Sequence, residues 1–110
     1  MDKLITSFKK LTLTVRNLRS EKGCPWDKKQ TTQSLEKYLK EEFEEIVQAI
    51  ENNDRNNLCE ELGDFLYLII MLSEINESEG HFSMSDVISN IDAKLIRRHP
   101  HVFGDSEITN

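Results

Sequence analysis

The segment EELGDFLYLIIML, residues 60–72, decides the fold. Its apolar residues lie on most sides of a helix, which is the pattern of a helix buried among other helices. The pattern predicts a long helix over residues 56–79, and Gly80 is well placed to end it. Three partner helices in one chain would not need all of this apolar surface, so we expect part of it to face another subunit.

Apolar residues at steps of three and four predict three more helices around this one. A loop with Gly and Pro, Gly23–Asp27, separates the first two, and Asp27 is a candidate cap for the helix that follows. No strand-like alternation and no internal repeat is present. The fold is therefore predicted to be all-α, a four-helix antiparallel bundle completed by homo-oligomer packing. The predicted bounds are residues 2–20, Thr31–Ile50, and a helix capped by Ser83 or Ser85 and closed by Pro100.

Length and charge limit the classes of function. With 110 residues, we expect a single domain over residues 1–110. A net charge of −6 argues against nucleic acid or an anionic membrane as the main partner, because both attract clustered Lys and Arg. The longest apolar run, Phe65–Leu72, is far too short to span a bilayer, and residues 1–20 lack the apolar centre of a secretion signal. We expect a cytoplasmic protein in which Cys24 and Cys59 are free thiols.

Two glutamates of the second predicted helix lie where core residues are expected. With Leu35 set at zero and about 100° per residue, Glu42 falls at about −20°, inside the apolar arc. Glu45 falls at about −80°, on the edge of that arc and on the same side as Glu42. The other glutamates of this helix point to its polar side, where pairs such as Glu36 with Lys40 explain them.

The next helix repeats this arrangement with Glu61 and Asp64, which project among apolar residues while Glu60 points outwards. Both carboxylate pairs have i,i+3 spacing on consecutive antiparallel helices, so the two pairs could converge. Buried carboxylates need compensation, and residues 56–93 contain no Lys or Arg. One interpretation is a site for Mg²⁺ or Mn²⁺, which prefer oxygen ligands. The other is a polar helix interface satisfied by hydroxyls, water or cations from other helices.

Two cations and one aromatic residue complete the candidate site. On the last predicted helix, Lys94 and Arg98 fall in line with Ile91, on the apolar face, where they could pair with the carboxylates or bind phosphates. The alternative is that their stems pack while their charges reach solvent. Trp26, the only tryptophan, could stack on a base or anchor its loop against the core. Gly63, beside the acidic residues, is expected to allow close helix approach.

Several blocks of this sequence together resemble one known family, the MazG branch of the all-α nucleoside triphosphate pyrophosphohydrolases. The core of the resemblance is Glu42-x-x-Glu45, a spacer of fifteen residues, and Glu61-x-x-Asp64. The acidic spacing alone would be a weak signal, but the combination with the flanking blocks is highly specific. Those blocks are Cys24-Pro25-Trp26-Asp27 with Gln30-Thr31, Tyr38-Leu39-Lys40-Glu41-Glu42, Glu60-Glu61-Leu62-Gly63-Asp64, and Lys94-Leu95-Ile96-Arg97-Arg98-His99-Pro100-His101-Val102-Phe103-Gly104-Asp105.

The resemblance implies hydrolysis of a nucleoside triphosphate to the monophosphate and pyrophosphate. It implies Mg²⁺ at Glu42, Glu45, Glu61 and Asp64, with Mn²⁺ as a substitute, and Glu42 or Glu45 as the group that orients the attacking water. By the same resemblance Lys94 and Arg98 hold phosphate oxygens, and the protein is a homodimer or tetramer. Two alternatives stay open: a non-catalytic helical interaction module, and a phosphohydrolase acting on another pyrophosphate-linked nucleotide.

Overall fold

A computed structural model describes residues 1–104, and every regular element in that range is a helix. The all-α prediction is confirmed. The end of the last quoted motif, Asp105, lies outside the described residues, as does the end of the predicted domain. The helices are α1 (Asp2–Leu18), α2 (Pro25–Lys29), α3 (Glu36–Glu51), α4 (Arg55–Ser78), α5 (Met84–Arg98) and α6 (Pro100–Phe103).

The bounds of α4 and α5 follow from local capping. The side chain of Asp54 accepts a hydrogen bond from the backbone N–H of Asn57 at 3.1 Å, which caps α4. Gly80 follows α4 with φ of +79°, a left-handed conformation that favours glycine, as predicted. Of the two candidate caps for α5, Ser83 is the one used: it forms a capping box with Asp86.

Two predicted boundaries were wrong, and a third was right but incomplete. The loop at Gly23–Asp27 contains the start of the short helix α2, because Pro25 is well suited to a first helical position. The helix predicted from Thr31 begins only at Glu36, since the side chains of Thr31 and Ser34 hydrogen-bond each other's backbone N–H. Pro100 does not only close α5: it also opens α6.

The core forms around α4, which contacts α1, α3 and α5. Four of its side chains are buried together with Val15 of α1 and Leu35, the residue before α3. This arrangement confirms that the segment of residues 60–72 belongs to a helix buried among others. The buried apolar residues of α4 are Leu68, Ile70, Met71 and Ile75.

The last long helix, α5, is packed differently from the others. It contacts α4, yet none of its residues is buried, and Ile88, Ile91 and Leu95 are each close to half exposed. A closed four-helix bundle is therefore not confirmed within one chain. Exposed large apolar side chains lie on α5 and at the start of α1, and also on α3 (Phe43 and Ile50), on α6 and at Leu62 of α4. Within residues 1–104, no helix combines the length and hydrophobicity of a bilayer-spanning segment.

Candidate metal centre

Three carboxylates from two adjacent helices meet at one point of the α3–α4 interface. Glu42 and Glu45 come from α3 and Glu61 from α4, and each offers an oxygen within 4.8 Å of the others. Their i,i+3 spacing on α3 puts Glu42 and Glu45 one turn apart on the same side, and the close packing of α3 on α4 brings Glu61 between them. We call these three residues the carboxylate cluster. The predicted convergence of the two helices' acidic residues is thus seen for three of the four.

The cluster is partly withdrawn from water, and two of its oxygens have no hydrogen-bond donor among residues 1–104. Glu61 is buried and Glu42 half-buried, and one side-chain oxygen of each, Oε1, is buried without a hydrogen-bond partner. Buried polar atoms are nearly always hydrogen-bonded, so two such carboxylate oxygens side by side need an external partner. A divalent cation with a preference for oxygen ligands fits this donor set.

The raised pKa values of two glutamates in the cluster also favour a bound cation. The pKa of Glu61 is raised above its ordinary value, first by its contact with the Glu42 carboxyl and then by burial. The pKa of Glu45 is raised as well, chiefly by its contact with Glu61 and the charge there. Like charges held this close favour protonation or a bound cation, because either removes the mutual repulsion.

Asp64 lies next to the cluster without joining it. It is exposed, and its charge contributes to the raised pKa values of both Glu45 and Glu61. It also lines a small pocket together with Glu42. In the part of the chain that the structure describes, the ion pairs do not involve the cluster or Asp64, so no Lys or Arg neutralises them.

The remaining glutamates of α3 behave as the helical period predicts. Glu36, Glu41, Glu44 and Glu51 are exposed, and the Glu36 carboxylate pairs with the Lys40 ammonium at 2.9 Å. On α4, Glu60 is exposed while its neighbour Glu61 is buried. This contrast separates Glu61 from an ordinary charged surface residue, and it provides Glu60 as a matched control.

The two predicted phosphate ligands lie on α5. Lys94 and Arg98 are both exposed, and neither forms an ion pair with the carboxylates among the described residues. They share their helix face with Ile91, which is 46% exposed. No residue of α5 is buried, so the apolar face that carries the two cations is not covered within a single chain.

Trp26 packs against α3 close to the carboxylate cluster. Its ring meets the ring of Tyr38 edge to face, with centroids 5.2 Å apart. Both rings line the pocket that Glu42 and Asp64 also line. The sequence left two roles open for Trp26, a base platform and a loop anchor, and its contact with the core is consistent with either.

Asp27 and Tyr67 are residues whose part in the site was missed. Asp27 caps no helix: it is buried inside α2, and its carboxylate accepts a hydrogen bond from the Tyr67 hydroxyl. Burial and the neighbouring Asp27 raise the pKa of Tyr67, so the hydroxyl is a donor at neutral pH. In the sequence, Tyr67 sits within an apolar run and looks like a core residue, and α2 is too short for its period to reveal a buried side.

The fold and the carboxylate cluster define an all-helical protein with an acidic centre suited to a divalent cation. Residues 30–103 match the family model described as the MazG nucleotide pyrophosphohydrolase domain. The chain belongs to this family. The match includes every residue of the carboxylate cluster, Asp64, Lys94 and Arg98, and it begins just after Trp26 and Asp27.

Curated relatives and a solved structure agree with the family. The chain is 46% identical over 99 residues to the nucleoside triphosphate pyrophosphohydrolase/pyrophosphatase MazG of Thermotoga maritima, covering 90% of this chain and 39% of that protein. It is 42% identical over 100 residues to the nucleoside triphosphate pyrophosphohydrolase of Escherichia coli K12, covering 91% and 38%. It is also 46% identical over 105 residues to the uncharacterized protein YabN of Bacillus subtilis, covering 96% and 22%.

The chain thus spans between about a fifth and two fifths of the length of these curated relatives. The crystal structure of a mazG-related protein from Thermotoga maritima superposes with a TM-score of 0.74 at 29% identity, covering 92% of this chain and 87% of that one. Here the similarity extends over nearly the whole of both chains, so the arrangement of helices is shared.

Proposed function

We propose that this protein hydrolyses nucleoside triphosphates to the monophosphate and pyrophosphate, with Mg²⁺ held by Glu42, Glu45, Glu61 and Asp64. The observation that carries the proposal is the pair of buried carboxylate oxygens on Glu42 and Glu61, which have no hydrogen-bond partner among residues 1–104 and lie with Glu45 within 4.8 Å. The names of the curated relatives, which are nucleoside triphosphate pyrophosphohydrolases, support the choice of substrate class.

The carboxylates would act by holding charge and orienting water. When bound, a divalent cation would supply positive charge that screens the triphosphate and favours deprotonation of water. Glu42 or Glu45 would orient the attacking water or accept its proton as the water oxygen bonds to the α-phosphorus. The bond between the α-phosphorus and its bridging oxygen then breaks, and pyrophosphate leaves. Glu45, the exposed member of the cluster, has the easier exchange of protons with solvent.

Lys94 and Arg98 would hold the phosphate oxygens of the substrate. Arg and Lys suit this role because their donors pair with phosphate oxygens in charge-assisted hydrogen bonds. Their helix, α5, leaves Ile91 and Leu95 half exposed on one chain. We propose that these apolar residues pack against a second copy, giving a homodimer or tetramer in which the helical bundle is completed. Packing α5 between subunits would also fix the two cations relative to a carboxylate cluster.

The test is the release of pyrophosphate from a panel of nucleoside triphosphates, with Mg²⁺ and with a chelator. The proposal predicts equal amounts of monophosphate and pyrophosphate, formed only with the divalent cation. Release of inorganic phosphate and a diphosphate would contradict it, since a different bond would then be broken. Turnover of nucleotide sugars with no turnover of triphosphates would favour another pyrophosphate-linked substrate.

No turnover of any nucleotide, in a protein that binds a divalent cation, would instead favour a non-catalytic interaction module. The exposed apolar face of α5 is the surface such a module would use. Substitution of Glu61 distinguishes the enzyme from the interaction module. In an interaction module, Glu61→Gln should leave partner binding intact, whereas in the enzyme it should abolish turnover.

A further inference from the structure

A pocket of about 200 Å³ lies beside the carboxylate cluster and carries aromatic side chains on its walls. Its lining includes three aromatic residues, Trp26, Tyr38 and Tyr67, and three acidic ones, Glu41, Glu42 and Asp64. An aromatic surface next to a metal-binding centre is the combination that recognises a flat ring attached to phosphates, because stacking is available to every nucleobase.

The aromatic residues of the pocket share helix faces with the acidic ones. Tyr38 precedes Glu42 by one helical turn on α3, and Tyr67 follows Asp64 by one turn on α4. The two faces meet where α3 packs on α4. A nucleotide whose phosphates lie at the carboxylates therefore has its sugar and base within reach of the aromatic side of the pocket.

We propose that the nucleobase stacks on Trp26 or Tyr38 in this pocket, and that the hydrogen bond from Tyr67 to Asp27 positions the Trp26 ring. This inference rests on the proposed function, because it assigns the base of the same substrate. The rings of Trp26 and Tyr38 meet edge to face at an interplanar angle of 70°, and both are half-buried. In such a pair each ring keeps a face that its partner does not cover.

Three side-chain hydrogen bonds hold α2, the short helix that carries Trp26. The hydroxyl of Tyr67 donates to the buried carboxylate of Asp27. The guanidinium of Arg19 donates to the backbone carbonyl of Asp27 at 2.6 Å, and the side-chain amide of Gln30 donates to the carbonyl of Trp26 at 2.8 Å. Tyr67 is thus a positioning residue, because it holds α2 as well as lining the pocket. A platform held in place before binding loses less entropy when the base arrives.

Trp26 is the only tryptophan, so its fluorescence reports directly on this pocket. The probe is a nucleoside triphosphate analogue in which a methylene group joins the α- and β-phosphorus. It is compared with inorganic tripolyphosphate, which has no base. The analogue should change the emission of Trp26 in a saturable way in Mg²⁺, and tripolyphosphate should displace it and restore the emission. An equal change with both ligands, or no change with the analogue while calorimetry shows that it binds, would overturn the inference.

Two variants and one control locate the base. Tyr38→Ala should raise the Kd of the analogue by about tenfold, the usual effect of losing one stacked ring, and leave the Kd of tripolyphosphate unchanged. Tyr67→Phe should shift the emission of Trp26 and raise only the Kd of the analogue. Phe82→Ala, an aromatic truncation in the loop before α5, should change neither value. A parallel loss of affinity for both ligands in Tyr38→Ala would overturn the inference.

The same measurements distinguish this inference from the proposed function. A wild-type protein that binds the analogue with a fluorescence change, yet releases no pyrophosphate from any triphosphate, would support the base pocket and overturn the hydrolysis. A protein that hydrolyses triphosphates, but whose Trp26 fluorescence does not change when the analogue binds, would support the hydrolysis and overturn the stacking of the base in this pocket.

Discussion

The acidic and the basic halves of the candidate site differ in how far one chain completes them. Glu42, Glu45 and Glu61 converge because α3 packs tightly on α4. Lys94 and Arg98 sit on α5, a helix with no buried residue. The helical period places both the acidic and the basic residues on apolar helix faces, so the sequence alone does not distinguish the two groups. The difference shows that periodicity identifies a face that needs a partner and leaves open whether the partner belongs to the same chain.

The first prediction concerns the acidic half and carries the largest expected effect. Glu61→Gln should lower kcat by about a hundredfold or more, because it removes a charged ligand from a site that stabilises developing charge. The neighbouring exposed residue provides the control: Glu60→Gln changes the net charge equally and should leave kcat within about twofold. Steady-state rates of pyrophosphate release measure both. Equal losses in the two variants would show a general effect of charge and contradict the cluster as the metal centre.

The second prediction concerns the basic half. Lys94→Ala and Arg98→Ala should each raise KM for the triphosphate by about tenfold to a hundredfold, the effect expected from losing a hydrogen bond between charged groups. Arg97→Ala removes a charge from the same helix, off the face shared by Lys94 and Ile91, and serves as control. If Arg97→Ala raises KM as much as the other two, α5 attracts the substrate only by its general charge.

The third prediction tests whether a second copy covers the apolar face of α5. Ile88 lines an apolar pocket with Leu4, Ile5 and Phe8 of α1, and Ile88 and Leu4 are both well exposed. Ile88→Glu should therefore dissociate the oligomer, while Ser89→Glu, on the neighbouring exposed position, should not. Sedimentation velocity gives the mass of each variant. A wild-type protein that sediments as a monomer of 12.8 kDa would contradict the assembly outright.

The fourth prediction concerns pH and the stability of the metal-free protein. The pKa values of Glu45 and Glu61 are raised above 4.5 in the folded chain, so the folded state binds protons before the unfolded state does. Stability should therefore increase as the pH falls from 7 through the raised pKa values toward 4.5, and the gain is lost again as the pH rises. In the presence of a chelator, the Tm measured by calorimetry should rise more steeply with falling pH for the wild type than for Glu61→Gln.

Saturating Mg²⁺ should remove this difference, because the cation compensates the carboxylate charges at neutral pH. Identical pH profiles of wild type and Glu61→Gln in chelator would contradict the assignment of the rise to the cluster.

The smallest expected effect is at Gly63, beside Glu61 on α4. The sequence suggested close helix approach there, but a Cβ added at Gly63 meets nothing within 4 Å in this chain. Gly63→Ala should therefore stabilise the helix by about 0.5–1 kcal/mol and raise Tm by a few degrees. A lower Tm would contradict this expectation and would indicate that another copy packs closely against α4 at this point.

Much of the fold and the acidic site was predictable from the sequence because both depend on helical period. The angle of Glu42 on its helix and the contrast between Glu60 and Glu61 follow from about 100° per residue. Glu42 and Glu61 are accordingly withdrawn from water, while Glu60 is exposed. The apolar run of residues 60–72 likewise predicts the central position of α4.

Other features depend on contacts that the helical periodicity of the sequence does not predict. The start of α3 at Glu36 is set by the paired hydrogen bonds of Thr31 and Ser34. The link between Asp27 and Tyr67 joins residues 40 positions apart, so nothing in the local sequence marks it. The exposure of α5 depends on how that helix packs on α4, and the periodicity leaves open what covers its apolar face.

A calorimetric titration of the protein with Mn²⁺ and Mg²⁺, in the absence of nucleotide, tests whether the carboxylate cluster between α3 and α4 holds a divalent cation. Wild type and Glu60→Gln should bind the cation with the same Kd, and Glu61→Gln should bind it at least about tenfold more weakly, because a charged ligand is lost. If Glu61→Gln binds the cation as tightly as the wild type, the carboxylates between α3 and α4 are not a metal centre.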